Sequence, residues 1–125
     1  VPGASEVFLA GFVTYANEAK RNTLGVPAGL LEAHGAVSEP VAAAMAEGAI
    51  RAASSRLALA TTGIAGPGGG TPEKPTGTVF VALAAAEKTT TVCRFHFPVD
   101  RRTFKHMVTS AALDMLRRHL DGLPC

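Results

Sequence analysis

Arg56-Leu57-Ala58-Leu59-Ala60-Thr61-Thr62-Gly63-Ile64-Ala65-Gly66-Pro67-Gly68-Gly69-Gly70 is the stretch that decides how the chain folds. Its first half is a short, mostly apolar run of the kind found in strands buried on both faces. Its second half puts five glycines into eight residues, 63–70. A strand therefore runs straight into a glycine loop, and it needs cover on two sides. Downstream, after the polar residues 71–76, Gly77 opens a second strand over residues 77–85. Glu87 and Lys88 turn the chain into a third strand over residues 89–97. These two form a hairpin. Asp100 is placed to cap a last helix, whose apolar stripe is Phe104, Val108, Ala111, Ala112, Met115 and Leu116 and which Gly122 and Pro124 stop.

Upstream, Val7-Phe8-Leu9-Ala10-Gly11-Phe12-Val13-Thr14-Tyr15 is rich in β-branched and aromatic residues, and its second half reads as another strand. Residues 17–24 follow as a short helix with Gly25 closing it, and Pro27 opens a further short helix through His34. Beyond Gly35, Ser38 is placed to accept a hydrogen bond from a free amide of the next helix, which has Glu39 and Pro40 in its first turn. In that helix Val41, Met45, Gly48, Ala49 and Ala52 form one narrow face of small side chains, suited to lying close against a sheet. The expected class is α/β: a three-layer sandwich with helices on both faces of a mixed sheet.

With 125 residues, 47% of them hydrophobic, the chain suits a single domain over 1–125. A formal charge of +2, spread along the sequence, gives nucleic-acid binding no electrostatic support. No apolar run reaches the roughly 18 residues a membrane helix needs. Cys93 and Cys125 do not make a disulfide framework, and both are expected as thiols in a reducing cytoplasm. The opening Val1-Pro2-Gly3 reads as a cut into something longer.

Three places could carry chemistry. The glycine loop could bring backbone N–H groups up to a phosphate or a carboxamide oxygen, or it could simply connect two strands. It matches neither the P-loop nor the dinucleotide fingerprint. Tyr15 and Lys20, at a strand end and one turn into a helix, could converge as acid and base. They could equally be a half-buried tyrosine and a snorkelling lysine. Arg101 and Arg102, with Lys105 a turn on, could grip phosphate oxygens at a helix N-terminus or stand as solvated charges beside a plain cap, Asp100. His34, His96, His106 and His119 have no zinc-binding spacing, so no metal or cofactor is expected.

Taken in order, several blocks resemble the CinA carboxy-terminal domain family, which includes nicotinamide mononucleotide deamidases. They are Pro2-Gly3-Ala4-Ser5 with Phe8; Gly11-Phe12-Val13-Thr14-Tyr15-Ala16-Asn17-Glu18-Ala19-Lys20; Leu24-Gly25-Val26; His34-Gly35-Ala36-Val37-Ser38-Glu39; Met45-Ala46-Glu47-Gly48-Ala49; Gly63-Ile64-Ala65-Gly66-Pro67; and Lys74-Pro75-Thr76-Gly77-Thr78-Val79. The resemblance implies that Tyr15 and Lys20 assist a serine nucleophile, that Ser5, Gly63, Ala65 and Gly66 contact substrate, and that Arg101 stands near its phosphate. Lys105 stands where a second arginine is expected. The serine of this family lies in a Glu-Ser-Cys-Thr-Gly-Gly turn upstream, which has no counterpart here, so the domain is expected to be truncated at its N-terminus. The function implied is amide hydrolysis on a small nucleotide by a cytoplasmic homodimer. The alternative is a non-catalytic domain that binds a nucleotide or a protein.

Overall fold

The computed structural model describes residues 1–124, so Cys125 and the thiol expected there lie outside the described residues. After a 3-10 turn at Ala4–Glu6 come α1 (Asn17–Leu24), α2 (Ala28–His34) and α3 (Glu39–Ala53). Strands β1 (Leu57–Gly63), β2 (Thr78–Ala85) and β3 (Thr91–His96) follow, and α4 (Arg101–Leu120) ends the fold. The sheet order is β1-β2-β3. β2 is central and pairs antiparallel with both neighbours, Thr61 opposite Val81 and Val81 opposite Cys93.

Side chains alternate across β2, and each set meets its own helix layer. Phe80, Ala82 and Ala84 join Leu24, Val26, Leu31, Val41, Ala42, Met45 and Ala46 in one core. Val79, Val81 and Leu83 join Phe104, Val108, Ala112 and Met115 in the other. The three-layer α/β arrangement is thus the one expected, and the pairings among the described strands are all antiparallel. The strand closed in on both faces is β2; β1, expected in that role, is an edge strand and only partly buried.

The strand expected in the second half of residues 7–15 does not form. Residues 8–15 form no strand and pair with no other strand among the described residues, although burial over 11–15 still alternates as in a strand: Thr14 is buried while Val13 and Tyr15 are 81% and 76% exposed. β-propensity without a hydrogen-bonded neighbour makes an extended segment and no more. In α3, Val41, Met45 and Gly48 face inward as expected, but Ala42 and Ala46 replace the exposed Ala52. A Cβ on Gly48 would stand 1.9 Å from the carbonyl oxygen of Leu24, so the absent side chain is what lets α1 and α3 cross. Ser38 occupies the N-cap of α3 without the expected bond, because its hydroxyl donates instead to the carbonyl of Gly35 at 2.8 Å. Asp100 does cap α4, its carboxylate accepting from the Thr103 amide and hydroxyl. Among the described residues no helix is long and apolar enough to cross a membrane.

Candidate functional site

Where the unpaired segment leads into α1, the chain doubles back. Ala16 is extended (φ −76°, ψ 144°), and its carbonyl accepts the first helical bond, from the Lys20 amide. That turn folds the Lys20 side chain onto the strand-like residues before it. Its Nζ donates to the carbonyl oxygens of Thr14 at 2.8 Å and Tyr15 at 3.1 Å. Lys20 is only 6% exposed, and this loss of water pushes its pKa below the ordinary lysine value. At the other end of α1, Gly25 takes the left-handed conformation the sequence predicts (φ 69°), and the Val26 amide donates to the Lys20 carbonyl. The residue is thus fixed at backbone and ammonium alike.

A cleft of about 620 Å³ opens beside it, a size suited to a small-molecule ligand. One wall carries Thr14, Tyr15 and Lys20, and the floor carries Thr62, Gly63 and Ala65 at the end of β1 and the start of the glycine loop. The far wall carries Arg101 and Lys105 from the first turns of α4. Three cations line it and no carboxylate does, so the field inside favours an anionic ligand. The cleft continues into a second, of about 460 Å³, between residues 7–12 and the outer edge of β1, lined by Met45, Ala49, Leu116 and Leu120. Together they make one slot between the unpaired segment and β1, apolar along most of its length and charged at one end.

The residues singled out in the sequence fall as follows. Tyr15, Lys20, Gly63, Ala65 and Arg101 line the same cleft. Tyr15 and Lys20 meet through the main chain of Tyr15, whose side chain is largely exposed. Gly66 is buried in the glycine loop, and its carbonyl accepts from Arg101 Nη1 at 3.1 Å, so this arginine grips the loop as well as facing the cleft. Ser5 sits exposed in the 3-10 turn and lines neither cleft. Arg102 is exposed on α4. Sequence reasoning missed Thr62, which ties β1 to the α2–α3 connection by donating to the Ala36 carbonyl at 2.8 Å. It also missed Ala36 and Val37, which line the cleft from that connection. Their apolar side chains carry no chemical signal, and only the fold places them.

Residues 1–120 match the family model of the CinA C-terminal domain. A CinA-like protein of Akkermansia muciniphila is 54% identical over 90% of this chain and 27% of its own length. A putative competence-damage inducible protein of Clostridium acetobutylicum is 48% identical over 98% of the chain and 29% of its own. The chain thus spans less than a third of these relatives. Among solved structures, the competence/damage inducible protein of Agrobacterium tumefaciens superposes with a TM-score of 0.89 at 41% identity, over 93% of this chain and 71% of that one. A CinA superfamily protein of Escherichia coli superposes with a TM-score of 0.82 at 39% identity, over 87% and 63%.

Proposed function

The chain belongs to the CinA C-terminal domain family, and from that premise we propose that its cleft hydrolyses the carboxamide of nicotinamide mononucleotide, giving nicotinic acid mononucleotide and ammonia. The observation that carries the reading is a desolvated amine, Lys20, held at the cleft opposite Arg101 and Lys105. A lysine with a lowered pKa has a larger neutral fraction and can take a proton from a hydroxyl. Both carbonyls that hold it, those of Thr14 and Tyr15, are acceptors, so they orient the nitrogen without supplying a charge that would keep it protonated.

In the proposed reaction Lys20 removes the proton of a serine hydroxyl as its oxygen attacks the amide carbon. The protonated lysine returns that proton to the leaving nitrogen, which departs as ammonia, and water then hydrolyses the acyl-enzyme to the carboxylate. Backbone amides of the glycine loop face the developing oxyanion, Tyr15 helps carry the proton, and Arg101 with Lys105 takes the phosphate. The cleft's hydroxyls among the described residues are Thr14, Tyr15, Thr61, Thr62 and Thr109, with no serine. The nucleophile is accordingly proposed to arrive on a segment entering the slot beside β1. The working unit is proposed as a cytoplasmic homodimer with a small nucleotide as its ligand, without nucleic acid or membrane as a partner.

That missing serine is also the observation that favours a second reading, a domain that binds a nucleotide or a protein without turning it over. Ammonia release from nicotinamide mononucleotide separates the two, measured on this chain and on one extended upstream in its gene. Release from the longer chain alone supports the amidase; release from neither supports the binder. Normal turnover in a longer chain carrying both Tyr15→Phe and Lys20→Ala removes the roles assigned to those residues.

A further inference from the structure

The start of the glycine loop, at Gly63 and Ala65, lines the cleft, and beyond Gly66, where Arg101 grips it, the loop is held by only a few hydrogen bonds. It is closed at its base, where the Gly77 amide donates to the Ile64 carbonyl at 2.7 Å, and turned at its tip, where the Thr71 amide donates to the Lys74 carbonyl at 2.9 Å. Between them Gly66 and Gly69 lie in the left-handed region, Gly66 and Gly70 pack against Thr76, and Gly68 has open space around it. What fastens the tip to the α2–α3 side is Lys74. Its Nζ reaches across 40 residues of sequence to donate to the carbonyl of His34 at 2.7 Å. His34 is the last residue of α2, whose C-terminal carbonyls carry partial negative charge and suit a cation. The connection that begins there carries Ala36 and Val37, which line the cleft.

We propose that Lys74 is a positioning residue that sets the shape of the cleft by tying the glycine loop to the α2–α3 connection. Ala65 stands on one side of this tie and Ala36 and Val37 on the other, so the ammonium adds a link between the loop and the connection beyond the one β1 makes. Thr62, donating to the Ala36 carbonyl, fixes the same connection from β1, and Lys74 links that connection to the loop tip. Arg94, donating to the Glu73 carbonyl at 2.8 Å, holds the neighbouring residue of the loop to β3, away from the α2–α3 connection. Without the tie a ligand would have to order the loop on arrival, and its affinity would fall by the fraction of molecules in the closed form.

The inference rests on the cleft being a nucleotide site, and the test keeps the two apart. Hydrogen exchange of the peptide spanning residues 64–77 is compared in the parent protein, Lys74→Met and Lys74→Arg. Exchange is expected to rise about tenfold in the methionine variant, the low end of what a charge-assisted hydrogen bond is worth, and to return to within about threefold of the parent in the arginine variant. In the same proteins the Kd for nicotinamide mononucleotide, measured by calorimetry, is expected to rise about tenfold in Lys74→Met, with kcat within about twofold where turnover is seen. Unchanged loop exchange in Lys74→Met overturns the proposal whatever the protein catalyses. Raised exchange with an unchanged Kd overturns it too, since the tie would then hold the loop without shaping the site. A parent protein that does not bind the nucleotide counts against the functional reading, and the exchange data still decide whether the tie holds the loop.

Discussion

Lys20 keeps its ammonium out of water with no acid among the described residues to meet it, and that conflict has consequences that can be measured. Its pKa is lowered by desolvation, so the unfolded chain holds this proton more firmly than the folded one. The penalty on folding is full below the folded-state pKa. It is relieved as pH rises from there towards the ordinary lysine value of 10.5. Stability should therefore gain with pH across that window, and urea midpoints of Lys20→Met should show a shallower rise. On the proposed chemistry the same titration sets the acid limb of kcat/KM, which should climb with pH to a midpoint below 10.5. Lys20→Arg keeps the charge but gives up the base, so kcat should fall by roughly 10²-fold or more, with nucleotide binding little changed. A flat acid limb would remove Lys20 as the base. At this scale the sequence was informative where spacing carried the information. Tyr15 and Lys20 straddle the turn that leads into α1, and that turn does bring them to one cleft. It could not tell that the contact runs through the Tyr15 carbonyl, because a backbone bond leaves no trace in side-chain pattern. Nor could it tell that Ser5 stands away from the cleft.

Between elements, the critical contact for the site is the crossing of α1 over α3. Lys20 reaches the cleft only while α1 is held against Gly48, where a Cβ would meet the Leu24 carbonyl oxygen at 1.9 Å. Leu24 belongs to the same short helix as Lys20, so Gly48→Ala must push that helix away. The expected cost is about 3 kcal/mol, the upper range for overpacking, read from urea unfolding, with the Lys20 pKa moving back towards 10.5 as water returns. A variant as stable as the parent would mean α1 can shift freely. On the other face Phe104, 5% exposed, anchors the first turns of α4, the elements that present Arg101 and Lys105. Phe104→Ala should cost about 3–5 kcal/mol, checked by the same unfolding measurement. The helices were legible because their periodicity and stop signals are local. α3 was read one step off, at Ala52 instead of Ala42 and Ala46, because in an alanine-rich helix nearly every face looks alike to a hydropathy pattern. The strand expected in the second half of residues 7–15 failed for the opposite reason: a strand is completed by its neighbour, which composition cannot supply.

The slot is a property of the whole molecule. On one side lies β1, an edge strand whose outer main-chain groups have no strand partner among the described residues. On the other lies the extended segment around Gly11 to Tyr15, with the burial rhythm of a strand. Met45 and Ala49 of α3 and Leu116 and Leu120 of α4 line the space between them, as helices line the faces of a continuous sheet. An open edge of this kind invites pairing with another chain. A gap of this shape, roofed on both faces, suits one extended strand that pairs with β1 and with residues 11–15 at once and delivers its end beside Lys20. This is how the proposed serine would reach the amine that activates it, and it ties the catalytic reading to a measurement that needs no turnover. In this chain alone the β1 amides that point away from β2 should exchange quickly. In a chain extended upstream they should slow by about 10²-fold, the segment around Val13 should gain strand protection, and the melting temperature should rise by roughly 10 °C or more. Protection at β1 without protection at Val13 would mean that the new strand pairs on one side only. Unchanged exchange at both would take the serine-bearing strand out of the slot and leave the cleft to the binding role.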